Sequence, residues 1–328
     1  HQPQRAPHGY LVPPFTFWKR PYDRRDLMPF LSKLAASSRA RDSIICVGLD
    51  PEPDRIPAHL GNGAQAASRF LRRIIHATSD HVAAYKPNLA FFEQYGQAGV
   101  DILALTLQEI PSGIPVILDA KRGDVPNTSA AYARALFERF GADAATVSPY
   151  VGLDSIAPFC ELGYAFVLAR TSNPGARDLQ DLATLGARAS GASAGSEQAR
   201  PLYEHVVERC AERFAADVCG FVVGATYPEE ARRLRALAPD RLFLLPGVGA
   251  QGGRIDDALS AAMDAKGGGV LPAASRSILY ASDGRDFEAA AASAARELKD
   301  AANAARMAQH GGAAGGRPPP PPPPPPLR

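Results

Sequence analysis

Short runs of apolar, often β-branched residues alternate along the chain with stretches of helical spacing, and most of the runs stop at a polar or charged residue. The clearest is Val116-Ile117-Leu118, which leads directly into Asp119-Ala120-Lys121-Arg122-Gly123-Asp124. An unbroken apolar run of this length reads as a buried parallel strand whose carboxyl end opens into polar space. With period-two alternation Asp119 and Lys121 project to one side of the backbone, while Gly123 lets the chain turn and present Asp124 from a neighbouring loop. Pro126 and Asn127 then open a helical segment at 129–140.

The same rhythm recurs. Leu27, Phe30, Leu31 and Leu34 give residues 26–39 helical spacing, in a position to plug or flank the main domain. Strands are expected at 43–50, 82–88, 116–119, 144–147, 165–169, 220–223, 242–245 and about 269–271. The intervening helices are expected at 64–78, 91–109, 129–140, 153–160, 197–214, 228–237, 254–263 and 286–303. Eight strands alternating with eight helices predict an α/β protein built as a (β/α)8 TIM barrel, spanning residues 26–305. A doubly wound open sheet is the second architecture, weakened because no G-x-G-x-x-G follows the first strand.

Asp50, Lys86, Asp119, Lys121 and Arg276 all fall at or just past strand carboxyl ends, the catalytic rim of such a barrel. Two glycine- and serine-containing loops, Pro246-Gly247-Val248-Gly249-Ala250-Gln251-Gly252-Gly253 and Pro272-Ala273-Ala274-Ser275-Arg276-Ser277, follow the seventh and eighth strands. Loops there often bind phosphate through exposed N–H groups and an arginine, so Gln251 and Arg276 are the expected phosphate contacts. The connection at 170–196 is long for a compact domain and, lying above the rim, is expected to act as a lid.

Composition narrows the classes. In 328 residues the net charge is only +2 with 21% charged residues, which argues against a broad nucleic-acid surface but leaves room for a local anion site. No apolar run reaches the roughly eighteen residues of a membrane span. Cys46, Cys160, Cys210 and Cys219 are widely spaced without a C-x-x-C pair, so reduced core thiols in a cytoplasmic protein are expected rather than zinc or disulfides. Residues 1–25 form an arm whose first part is rich in proline and aromatics and lacks the layout of a secretory signal. Residues 306–328 lead through a Gly/Ala spacer into nine prolines, an expected disordered polyproline tail.

Taken in order, several motifs resemble the orotidine 5'-phosphate decarboxylase family, in particular its second bacterial branch. They are Gly48-Leu49-Asp50-Pro51, Tyr85-Lys86-Pro87-Asn88, Asp119-Ala120-Lys121-Arg122-Gly123-Asp124, Arg170-Thr171-Ser172-Asn173-Pro174-Gly175, the Pro246 loop and Ser275-Arg276. Val125-Pro126-Asn127-Thr128 departs from that branch and looks more like the other. The resemblance implies loss of CO2 from orotidine 5'-monophosphate to give UMP, without metal or organic cofactor. It implies an alternating tetrad of Lys86, Asp119, Lys121 and Asp124, with Asp124 and Thr128 reaching into the partner's site of a homodimer. It also implies that Asp50 binds ribose hydroxyls, that Ser172 meets the pyrimidine edge, and that Gln251 and Arg276 hold the 5'-phosphate.

Two other readings stay open at this point. A magnesium-dependent sugar-phosphate decarboxylase or aldolase shares the D-x-K-x-x-D layout but needs a further acid, for which Glu93 or Glu109 would have to serve. A non-catalytic nucleotide-phosphate-binding barrel would bind UMP without turning over substrate.

Overall fold

The computed structural model describes residues 29–185, 199–248 and 255–314. The N-terminal arm, Gln251 and the proline run lie outside the described residues, as does the second part of the expected lid.

Eight strands form one all-parallel sheet: β1 (Cys46–Leu49), β2 (Ala84–Pro87), β3 (Ile117–Arg122), β4 (Ala144–Val147), β5 (Tyr164–Arg170), β6 (Cys219–Val223), β7 (Phe243–Pro246) and β8 (Val270–Ala274). Their order is β2-β1-β8-β7-β6-β5-β4-β3. The remaining edges, β2 and β3, meet through the parallel bridges Tyr85–Val116 and Asn88–Asp119, which close the sheet into a barrel. The (β/α)8 expectation therefore holds. Closure also satisfies the backbone groups that an open edge would leave exposed.

Each strand is buried on both faces, which is why the runs read as continuously apolar. Val47, Leu49, Leu118, Val147 and Val167 pack outward against the helices. Cys46, Ala84, Ile117, Ala144, Phe166 and Leu271 fill the barrel lumen. Small residues on one part of the wall make room for Tyr164 and Phe166, whose rings contact Phe30 at 4.8 and 5.7 Å between centroids. Phe30 opens the helix Phe30–Arg41, so this helix plugs the barrel against the lumen residues, and burying such a side chain stabilises by roughly 1.5–3 kcal/mol. Lys33 locks it in place by donating to both carboxylate oxygens of Asp143 at 3.0 and 2.8 Å.

Four departures from the expected elements have local causes. Strand β3 continues to Arg122 because it bulges: its register against β4 shifts between Leu118 and Arg122, and Lys121 takes a φ of 47°. The helix expected at 91–109 divides into Ala90–Glu93 and Gln97–Glu109 at Gly96, whose φ is 61°. The helix expected from 197 begins at Leu202, since Arg200–Pro201 pairs antiparallel with Ala183–Thr184. The last helix, expected to end at 303, continues as Phe287–Ala314.

Gly99, in the first turn of the second helix, passes close against the end of the first. A Cβ there would lie 1.8 Å from the Phe92 carbonyl oxygen and 2.7 Å from its carbon, both backbone atoms that cannot rotate away. Gly99→Ala is therefore expected to cost about 3 kcal/mol, measured as a lower urea midpoint, with little change in the slope of the transition.

Candidate active site

Alternation along β1, β2 and β3 sends Gly48 and Asp50, Lys86 and Asn88, and Asp119 toward the carboxyl-end mouth of the lumen, while Lys121 follows on the bulged end of β3 and does not line the cavity there. There a cavity of about 300 Å³ is lined by Asp50, Lys86, Asn88 and Asp119 on one wall. Gly247, Ser275, Arg276 and Ser277 line the other.

At the base of this cavity Lys86 Nζ donates to Asp119 Oδ2 at 2.8 Å, and from outside the lining Lys121 Nζ donates to Asp119 Oδ1 at 2.5 Å. Thr146 Oγ1, inward from β4, donates to the same Oδ1 at 2.9 Å and accepts the Lys121 N–H at 3.0 Å. That second bond holds the bulged backbone of Lys121 in its left-handed conformation, a strained arrangement of the kind stored at working sites. The two ammonium groups differ in setting: the Lys86 side chain is 6% exposed and that of Lys121 48%. Lys121 thus has one foot on Asp119 and room to move.

Electrostatics explain how a carboxylate survives here. Burial alone would raise the Asp119 pKa, but Lys86 and then Lys121 outweigh it and hold the carboxyl well below its ordinary range. Burial would likewise lower the Lys86 pKa, yet Asp119 and Asp50 reverse that and keep it above the usual lysine value. At 2.8 Å and an effective dielectric of about 20, the Lys86–Asp119 attraction is roughly 6 kcal/mol. Desolvation costs several kcal/mol for each ion, so the array contributes fixed charge at the mouth more than net stability.

The remaining expected residues sort themselves by position. Asp50 is buried, and its Oδ1 has no hydrogen-bond partner among the described residues. Ser172 lies beside the glycines after β6 and β7: a Cβ on Gly224 would meet its backbone N at 2.9 Å, and one on Gly247 its Oγ at 3.8 Å. Arg276 heads the short helix Arg276–Leu279 after β8 and is exposed on the cavity wall. Asp124 turns toward its own loop, its Oδ1 accepting the Val125 N–H at 2.7 Å, and neither it nor Thr128 lines the cavity.

The sequence does not single out Thr146, and Ser275 enters it only as the neighbour of Arg276. Thr146 was within reach of it, because the inward register of Ala144 in β4 places residue 146 on the same face. Of the two acids considered for a metal, Glu93 binds Arg122, and Glu109 pairs with Arg72 and His76 on the outer helices. Neither lines the cavity.

A model of the orotidine 5'-phosphate decarboxylase / HUMPS family matches residues 43–292. The orotidine 5'-phosphate decarboxylase of Azoarcus sp. (strain BH72) is 45% identical over 287 residues, which cover 85% of this chain and all of that protein. Among solved structures, Leishmania donovani OMP decarboxylase superposes with a TM-score of 0.71 at 38% identity, covering 85% of this chain and 99% of that one. A protein from Toxoplasma gondii described as a putative orotidine-monophosphate-decarboxylase gives a TM-score of 0.77 at 34% identity, over 87% of this chain and 98% of that one. By sequence over most of its length and by fold, this chain belongs to the orotidine 5'-phosphate decarboxylase / HUMPS family.

Proposed function

We propose that this site decarboxylates orotidine 5'-monophosphate to UMP and CO2, with Lys121 as the proton donor. The observation that carries the assignment of roles is the Lys86–Asp119–Lys121 array, whose Lys86 and Asp119 line a cavity that Arg276 lines from the opposite wall. The C6–carboxylate bond breaks, CO2 leaves, and the electron pair stays on C6 beside the Lys121 ammonium. Lys121 stabilises that pair and gives it a proton; the neutral amine regains one from solvent.

Asp119 stands where the substrate carboxylate enters. Two like charges 4 Å apart at an effective dielectric of about 20 repel by roughly 4 kcal/mol. Enzymes lower barriers by about 8–23 kcal/mol, so repulsion supplies the smaller share. Preorganised stabilisation of the carbanion by Lys121 supplies more, together with binding energy gathered at the phosphate end. Asp50 Oδ1, an acceptor without a partner among the described residues, suits a ribose hydroxyl. Ser172 meets the pyrimidine edge, and Arg276 with Gln251 takes the 5'-phosphate.

The chain acts as a homodimer in which Asp124 and Thr128 complete the partner's site; what supports this is that both stand outside the cavity of their own chain, Asp124 on the loop just after β3 and Thr128 in the helix Pro126–Ala133 that follows it. Among the described residues no helix is long and apolar enough to cross a membrane. All four cysteines are free and buried, which suits a reducing compartment such as the cytoplasm.

The direct test is the ultraviolet absorbance change of orotidine 5'-monophosphate on conversion to UMP, followed in the presence of EDTA. Turnover unaffected by the chelator is expected. Turnover that vanishes with EDTA and returns with magnesium would instead favour the metal-dependent chemistry of the same barrel.

A further inference from the structure

Tyr280 sits one residue beyond the short helix that carries Arg276 and reaches back to the loop that carries Asp50. Its hydroxyl donates to the Asp50 carbonyl at 2.8 Å and accepts the Glu52 N–H at 2.6 Å. The ring stacks on Phe70, with centroids 5.5 Å apart and planes 9° from parallel, and the Arg55 guanidinium lies over it at 4.2 Å. Burial raises the phenol pKa above its ordinary value although the Glu52 N–H opposes this, so the hydroxyl stays a donor throughout the working range. From the other side Gln94 Nε2 and Tyr95 Oη both donate to the Pro51 carbonyl, at 3.0 and 3.4 Å.

The same pair of strands is already in intimate contact below. β1 and β8 are neighbours in the barrel, and a Cβ on Gly48 would fall 1.7 Å from Ser275 Oγ. Only glycine admits that approach, so the ends of β1 and β8 are drawn together and Tyr280 bolts their extensions. Asp50 and Arg276, the two side chains whose spacing this sets, line one cavity.

We propose that Tyr280 is a positioning residue that fixes the separation between the Asp50 carboxylate and the Arg276 guanidinium, so that a ligand bearing hydroxyls and a phosphate is gripped at both ends at once. The inference rests on the roles given to Asp50 and Arg276 above. A ligand using both anchors gains from a fixed spacing, because the second contact costs no further ordering once the first is made. A ligand using one anchor gains nothing.

Tyr280→Phe keeps the ring and its stack on Phe70 and removes only the hydroxyl. Wild type, Y280F, Asp50→Asn and the double variant are compared for kcat and KM with orotidine 5'-monophosphate. Binding of UMP, uridine and inorganic phosphate is measured alongside. In Y280F, KM for the substrate and Kd for UMP are expected to rise about 10-fold, the effect of losing one or two hydrogen bonds. Kd for uridine and for phosphate, and kcat, are expected to change less than about threefold. In the Asp50→Asn background, Y280F is expected to add less than about twofold.

An unchanged KM and UMP affinity, a parallel weakening of all three ligands, or full additivity with Asp50→Asn would each overturn the proposal. A wild type that binds UMP but releases no CO2 would defeat the functional reading, and the comparison of binding constants would still decide the role of Tyr280.

Discussion

Replacing Lys121 with alanine is expected to lower kcat by about 10⁴-fold or more, because one side chain supplies both electrostatic stabilisation and a proton, each typically worth 10²-fold or more. The fold should be nearly untouched. The Lys121 side chain is half exposed, so its removal opens no internal cavity, and Asp119 keeps Lys86 and Thr146 as partners. The left-handed backbone at this position is borne by lysine already, so alanine adds no new strain there. A thermal melt within about 3 °C of wild type, with undetectable absorbance change on substrate, is the expected pair of results. Near-normal UMP formation by Lys121→Ala would remove the assignment of the proton donor.

Asp119→Asn should fail differently, losing activity and stability together. Its carboxylate is 10% exposed and receives hydrogen bonds from two ammonium groups and a hydroxyl. With a neutral amide in its place, Lys86 is left buried and charged, with Asp50 the one nearby acid among the described residues. Breaking a buried pair from one side typically costs about 3–5 kcal/mol, and a drop of that order in unfolding free energy is expected.

The pH dependence carries a further signature of the same group. Asp119 is held below its ordinary pKa in the folded chain, where Lys86 and Lys121 prevail over burial. Its contribution to stability is therefore complete above the unfolded value, about 3.9, and is lost as pH falls through the lower folded value. Wild type should accordingly lose melting temperature steeply below about pH 4, and the part of that slope due to this one proton should be missing in Asp119→Asn. Lys86, raised in the folded state, runs in the opposite sense: its contribution is complete below its unfolded value and is lost as pH rises through the folded one. Identical acid limbs for wild type and Asp119→Asn would show that the carboxylate is not held in the way its partners indicate.

Much of this site is legible in the amino-acid sequence. Asp50, Lys86, Asp119 and Arg276 could be placed because a buried parallel strand declares its own end: the apolar run stops where the chain leaves the hydrophobic layer. The order of those ends around a closed barrel then follows from chain order alone. Less legible were the contacts between strands. Thr146 looks like an ordinary strand residue until its hydroxyl is found bridging Asp119 and the backbone of Lys121. The β3 bulge that turns Lys121 was invisible for the same reason, since a register shift is a property of two strands and not of one. Tyr280, near the end of a short helix, carries no local pattern that marks it as a tether to a loop 228 residues earlier.

The repeated strand–helix period, hence the barrel, and the identity of the charged groups at its mouth are already written in the chain, because hydrophobic periodicity and strand ends are local properties. Contacts between distant segments set which of those charges meet around Asp119, which loops are tied together, and that Asp124 stands apart from its own cavity. Such distances are set by barrel closure, by the bulge at Lys121 and by the close passage of Gly48 against Ser275. They arise from packing between segments far apart in the chain, and no window of neighbouring residues encodes them.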